Sequence, residues 1–533
     1  MSPFPVRPLH RNVTPQALFA VGGLLIAMMA MRLVFAGIFE LRTDEAYYWT
    51  WSQENVLSFL DHPPMIAWFV RFGTAIFGDT AFGVRFAGIV AMAVMQLLLV
   101  DIVRRVTQDL RAMVVTALMT EAALYYGLLM AKVAPDVAMI PFAVAMLWSM
   151  VRVAETNDGR WWLATGLFGG LAMLAKLTAL MFVPGILVFM LVPAWRLRWL
   201  TSPYPWLATL IAIIVSSPVL IWNEAHDWAS FRFQFVRVTA AHDWSLRTFG
   251  EFFGLQFVQV GFVLLPLIVS ACAVTAWRGW RRQDPIALLF SSSVLVPFLY
   301  FVWTSLSLRV GDTWPMFLWP AAIAGAAINM VELPGEGWSN GTIRIYWRSV
   351  QASIAVGMTF VVLSFLYCTV APWNLFGRND PVGTEAGYDK VAERALQDMR
   401  NTGATWIATT NYRVYAMLRW HLRDRVPVVQ VTERARFLDF SDPGSAQITG
   451  HPGLLIAGID DQRELLRAAG ATLEPIGSFT TMWRGTPMRY FEIEKITGWT
   501  PELNPAPDTP LYRWRNLADA PRPMRLARVA RAS

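Results

Sequence analysis

The apolar positions of this chain gather into long unbroken runs, with neither the alternation of half-buried strands nor a heptad seam. The first run, Ala17 to Phe39, follows an arm carrying Arg7, His10 and Arg11. It is long enough to cross a bilayer and longer than a signal-peptide core, which predicts a retained anchor. Further runs lie near 82–103, 112–131, 133–151, 162–175, 177–195, 204–222, 252–276, 285–306, 315–331 and 350–371. They predict an all-α polytopic membrane domain of about eleven transmembrane helices, in which the boundary between 162–175 and 177–195 is blurred. No internal repeat is visible, which weighs against a transporter built from inverted halves.

Beyond Pro372 the pattern changes. Asp389–Met399, Tyr412–Leu422 and about Asp461–Ala469 read as helices, and Thr405–Thr409, Pro427–Val431 and Gly453–Ala457 as strands. A small α/β domain over 372–500 therefore follows the membrane domain of 1–371, and a Pro- and Arg-rich stretch, 501–533, reads as a flexible tail.

Composition narrows the class. The chain has 533 residues, 55% hydrophobic and 16% charged, too apolar for a soluble enzyme and far from disordered or collagen-like sequence. The formal charge of +7 suggests nucleic acid only until its placement is considered. Arg104, Arg105 and Arg111 share one connection, Arg152 and Arg160 the next, then Arg196 and Arg198, Arg278, Arg281 and Arg282, and finally Arg344 and Arg348. Arginines on alternate short connections mark a cytoplasmic side. This predicts a cytoplasmic N-terminus, with 40–81, 223–250, 307–314 and the α/β domain on the opposite side of the membrane. Cys272 and Cys368 both lie in apolar stretches, so no disulfide framework is expected.

The polar residues of the outer connections carry the chemistry. The first loop reads Arg42-Thr43-Asp44-Glu45-Ala46-Tyr47-Tyr48-Trp49-Thr50-Trp51, then Asp61-His62-Pro63-Pro64. Thr43 can cap a helix holding Asp44 and Glu45 in its first turn, where the dipole favours carboxylates. A second helix is predicted from Pro63, and both read as amphipathic interfacial helices. Anchoring helices with ordinary caps are the bland alternative. Lys132, Asp136, Lys176, Glu121, Arg32 and Arg85 interrupt or border apolar runs. An ionisable group at mid-membrane costs about 2.5–3.5 kcal/mol, so they imply pairing or a hydrated cavity. Trp222-Asn223, His226, Trp228, His242-Asp243-Trp244 and Arg309, Asp312 and Trp314 place tryptophan beside polar groups, as sugar binding or an aromatic belt would.

There is no P-loop, strand-anchored GxGxxG, G-x-S-x-G or HExxH in the sequence. The glycines at 22–23 and 166–170 lie within spans, where small residues serve close helix packing. His62, His226 and Asp61 make only a weak case for a divalent metal.

These segments resemble the GT-C type glycosyltransferases, integral membrane enzymes that take sugar from a polyprenyl-phosphate carrier. The nearest groups are the lipid A aminoarabinose and galacturonosyltransferases, with protein O-mannosyltransferases more distant. The resemblance covers roughly 15–370 and rests on Arg42–Trp49 and Asp61–Pro64, with support from Pro135-Asp136, Leu174-Ala175-Lys176, Trp222-Asn223 and Asp312–Pro315. It implies Asp44 as the catalytic base, with Glu45 as fallback or orienting partner. The substrate contacts it implies are Tyr48, Asp61, His62, Lys132, Asp136, Lys176, Trp222, Asn223, His226, Arg309, Asp312 and Trp314. His62 stands where the aminoarabinose transferases have a lysine associated with the donor phosphate, which leaves that contact and the sugar open. The implied donor is undecaprenyl phosphate-linked sugar and the implied acceptor an envelope glycolipid such as lipid A or its core. Membrane lipids are further partners, and nucleic acid is not. A donor already activated needs no nucleotide fold. The alternatives are transfer to protein, as in O-mannosylation, and a flippase for lipid-linked sugar. Polar residues concentrated in the outer loops weigh against the flippase.

Overall fold

The computed structural model describes residues 13–193, 195–239, 244–458 and 462–503. Arg7, His10, Arg11, His242, Asp243 and the tail from 504 lie outside the described residues. The chain divides into two compact units, one of 1–39 and 62–370, the other of 40–61 and 371 onward. The first outer loop thus clusters with the C-terminal α/β region, a partition the order of residues along the chain does not suggest.

The larger unit is a multi-pass membrane unit. Among the described residues, seven helices are long and apolar enough to cross a membrane: Pro15–Ile38, Ala81–Thr107, Pro135–Thr156, Pro203–Ala225, Pro285–Ser305, Met316–Glu336 and Asn340–Val370. Leu246–Val260 and Leu264–Arg282 make an eighth if counted together, bent by 98° at Gly261, whose φ of 123° suits glycine. The remaining apolar runs fold as shorter or broken helices. Run 112–131 becomes Leu110–Ala122, a single turn at Leu124–Gly127 and a 3-10 turn, and run 162–175 becomes Arg160–Ala175. Run 177–195 begins as a 3-10 turn before Val183–Leu191.

The break after Ala122 is stabilised by its surroundings. Arg32, 1% exposed, donates to Glu121 at 2.7 and 2.9 Å and to the carbonyls of Tyr126 and Gly127, which the break frees from helical bonding. Non-helical backbone at membrane depth requires such internal partners. Arg85 does the same at the end of the first span, donating to Ala36 O and Phe39 O. Three of the charges read from the sequence as interruptions are therefore structural.

Close packing is concentrated at particular glycines. A Cβ on Gly166 would meet Ala208 O at 2.2 Å, and one on Gly170 would meet Val215 Cβ at 2.7 Å. These two residues, one helical turn apart, let Arg160–Ala175 lie against Pro203–Ala225. The expectation for 22–23 differs, since a Cβ on Gly22 or Gly23 meets nothing within 4 Å.

The arginine-bearing connections are tied to one another. Arg105 pairs with Glu155 at 2.9 Å, Arg198 donates to Asn157 O at 2.6 Å, and Arg111 lies over the Trp347 ring. They gather at one end of the unit. Asp136 begins the helix Pro135–Thr156 and Arg152 lies in its last turns, so Asp136 belongs to the opposite end.

The second unit holds a five-stranded sheet in the order β2-β1-β3-β5-β4, comprising β1 (Trp406–Thr409), β2 (Val428–Gln430), β3 (Gly453–Ala457), β4 (Thr472–Trp483) and β5 (Thr486–Thr497). The three parallel strands β1, β2 and β3 are wholly buried, as short continuous apolar runs predict. Their core includes Trp406, Val429, Leu455 and Ile496. Helices Tyr388–Thr402, Tyr412–Leu422 and Arg463–Ala468 match the sequence expectation closely. The β4–β5 hairpin was not expected. Pro475 and Gly477 flank a bulge in β4, and its other bulge spans Thr480 to Met482, so its sequence lacks clean alternation. The readable signal is the two-residue turn Arg484-Gly485, with φ of 44° and 78°.

Candidate active site

The loop helix Thr43–Ser52 starts one residue earlier than the sequence suggests. Arg42 is its N-cap residue, and Thr43 is already helical, its N–H donating to Glu385 Oε2 at 3.1 Å. Glu45, 1% exposed, closes the first turn by accepting from Arg42 N at 2.9 Å. Asp44 projects differently. Its side chain is 49% exposed and faces Arg413 of Tyr412–Leu422, Nε to Oδ1 3.7 Å. Of the two adjacent carboxylates, one is used in the fold and the other is open to chemistry.

The rest of this helix is buried, contrary to the interfacial reading. Tyr47 packs its ring against Tyr412 at 4.8 Å, Trp49 meets Trp420 edge-on at 5.2 Å, and Trp51 stacks on Phe59 at 4.2 Å. Tyr48, 8% exposed, meets Trp51 at 5.2 Å. Glu54 accepts from Ser441 N and Oγ at 2.8 and 2.6 Å. Aromatic side chains that read as a membrane belt are the core through which the loop joins the α/β region. The second loop helix begins at Met65 and does expose an apolar stripe, with Trp68, Phe72 and Ile76 outward.

Asp61 is 14% exposed and ion-paired with Arg436, and it accepts a hydrogen bond from the Tyr47 hydroxyl at 3.1 Å. Burial, then the charge of Asp61, pushes the Tyr47 phenol well above its usual range, so it remains a donor. Burial disfavours charge on Arg436, but Asp61 and Tyr47 outweigh it and raise its pKa. Tyr412 is raised by burial first and by Asp44 next. Tyr47, Tyr412, Arg413 and Arg436 are residues that sequence reasoning missed. The helix Tyr412–Leu422 was legible, but nothing local links it to a segment over 300 residues earlier.

Within the membrane unit a second polar group forms. Lys176 sits in extended backbone (φ −161°) just after Arg160–Ala175, and that break lets its ammonium reach both oxygens of Asp136, at 2.8 and 2.9 Å. Both side chains are nearly inaccessible, at 7% and 2%. Thr313 Oγ1 donates to the same carboxylate at 2.9 Å, and Trp314 offers its ring face to Lys176 at 6.0 Å. Asp312 accepts from Gln259 at 3.2 Å. The phenol of Tyr125 is buried, without a hydrogen-bond partner among the described residues, within electrostatic reach of Asp136 and Asp312. The structure thus brings Asp136, Lys176, Asp312 and Trp314 into one neighbourhood, with Thr313 and Tyr125 as additions.

The other sequence candidates make different contacts. Trp222, Asn223 and His226 build a turn: the Asn223 side chain accepts from Ser230 N and Phe231 N, and the His226 ring stacks on Trp222 at 4.2 Å. Arg309 is 75% exposed and lies 3.7 Å from Glu251. Lys132 is half-buried, its ammonium 5.6 Å from the Phe35 ring. His62 is half-buried and begins the second segment of the membrane unit. Among the described residues no group of three His, Cys, Asp or Glu side chains that could hold a metal is found.

The chain matches the crystal structure of ArnT from Cupriavidus metallidurans bound to undecaprenyl phosphate with a TM-score of 0.62 at 15% identity, covering 90% of this chain and 98% of that one. It shares that fold. Residues 61–222 match the family model described as dolichyl-phosphate-mannose-protein mannosyltransferase. The chain is 29% identical over 306 residues to the lipid A galacturonosyltransferase RgtD of Rhizobium johnstonii, across 52% of this chain and 62% of that protein. It is 28% identical over 312 residues to the undecaprenyl phosphate-alpha-4-amino-4-deoxy-L-arabinose arabinosyl transferase of Pseudomonas aeruginosa, across 53% and 54%. The matched part therefore spans less than two thirds of either relative. The resemblance to the lipid A-modifying GT-C group, first carried by motifs, holds in sequence over about half of the chain, and the fold is shared over 90% of it.

Proposed function

We propose that this protein is an inner-membrane glycosyltransferase that moves a sugar from an undecaprenyl phosphate donor to an envelope glycolipid such as lipid A or its core. The acceptor hydroxyl attacks the anomeric carbon, its proton passes to Asp44, and the bond from that carbon to the phosphate oxygen breaks, releasing polyprenyl phosphate. A cation must meet the charge left on the phosphate. Lys132, Lys176, Arg309 and His62 are the candidates for that contact. The observation that carries this reading is the contrast in the first turn of the loop helix, with Glu45 consumed by the backbone and Asp44 half exposed. The names of the relatives support the donor and acceptor classes. The proposal includes an active site on the periplasmic side and a cytoplasmic N-terminus.

Mass spectrometry of envelope lipids from cells with and without the protein tests the reading. A sugar-bearing glycolipid is expected only when the protein is present, and Asp44→Asn should lower its formation by about a hundredfold or more. Full activity in that variant would remove Asp44 from its role. The matched family description supports a second reading, in which the sugar is transferred to protein instead of lipid.

A further inference from the structure

The half-open pair of Asp44 and Arg413 has a consequence beyond the identity of the base. We propose that Arg413 is a positioning residue that holds the Asp44 carboxylate ready for the acceptor hydroxyl. This rests on the reading of Asp44 as the base.

Arg413 lies in the first turn of Tyr412–Leu422, whose N-cap Asn411 accepts from Arg413 N at 2.9 Å. A cation there faces the positive end of the helix and gains only if an anion is close. Asp44 lies 3.7 Å away. The guanidinium is fixed by the neighbouring phenol, Nε donating to Tyr412 Oη at 3.1 Å. Tyr412 is in turn held by the Tyr47 ring and by the Arg436 guanidinium over its face at 4.7 Å.

The other carboxylates around this cluster are committed. Asp61 bonds Arg436 and Tyr47, Glu45 accepts from Arg42 N, and Glu385 accepts from Thr43 N and lies 3.8 Å from Arg489. Asp44 and Arg413 keep 49% and 42% of their side-chain surface. This pair can therefore meet a substrate while remaining anchored on one side. Arg413 faces Oδ1, which leaves Oδ2 to take the hydroxyl proton. The guanidinium keeps its own proton throughout.

The test uses the full chain in its producing cell, with the sugar-bearing envelope lipid quantified by mass spectrometry after a short induction. Arg413→Gln should slow its formation roughly tenfold to a hundredfold, the scale of one charged neighbour at this range. Arg413→Lys, which keeps the charge, should recover to within about threefold of the parent. Thermal midpoints of the purified variants should match the parent. If Arg413→Gln retains full rate while Asp44→Asn is inactive, Arg413 has no positioning role and the base assignment stands. If Arg413→Gln loses activity together with its thermal midpoint and lysine fails to restore it, the role is structural. If Asp44→Asn is fully active, or no lipid changes with the parent, the underlying reading fails instead.

Discussion

At the scale of single residues, adjacent carboxylates with the same sequence context receive opposite fates. Glu45→Ala should remove a cap and lower stability by about 1 kcal/mol, seen as a lower thermal midpoint, while transfer per folded molecule stays within about twofold. Asp44→Asn should do the reverse. Helical spacing alone separates the two side chains by about 100°, but it does not say which direction is solvent. The Arg32–Glu121 pair makes a second prediction. Each partner is almost wholly inaccessible, so Glu121→Leu alone should destabilise by about 3–5 kcal/mol by stranding a buried charge. Adding Arg32→Met should restore much of that loss, measured by thermal unfolding in detergent. A double variant no better than the single would show that the two carbonyl contacts of Arg32 matter more than the ion pair.

At the scale of elements, the apolar runs were legible because a bilayer crossing needs about 20 apolar residues whatever the fold. Their breaks were not. The interruptions after Ala122 and at Lys176 depend on partners distant in sequence: Arg32 for the first and Asp136 for the second. The helix contact at Gly166 is more sharply defined. Gly166→Leu should drive a side chain into Ala208 backbone and lower expression and thermal stability strongly, while Gly22→Leu, with open space around it, should be tolerated. The β4–β5 hairpin was missed for the complementary reason. Its strand signal is interrupted by Pro475 and Gly477, residues permitted there because β4 is an edge strand.

At the scale of the whole molecule, the arginine ties among the 104–111, 152–160, 196–198 and 344–348 connections give the charge asymmetry a physical location at one end of the membrane unit. Reporter fusions should place the 104–111 connection in the cytosol and the α/β region outside. The opposite result would remove the proposed sidedness.

The sequence by itself determined a multi-pass membrane protein, the apolar segments, the strands and helices preceding the hairpin, and a short set of polar candidates. Each depends on local composition, periodicity or the cost of charge in lipid. The tertiary structure alone decided that Arg32, Arg85 and Glu121 serve the fold, that Asp136 and Lys176 neutralise one another, and that the loop at 40–61 belongs with residues beyond 371. Those outcomes depend on which distant groups come within hydrogen-bonding distance, and chain closure over hundreds of residues leaves no periodic trace in the sequence.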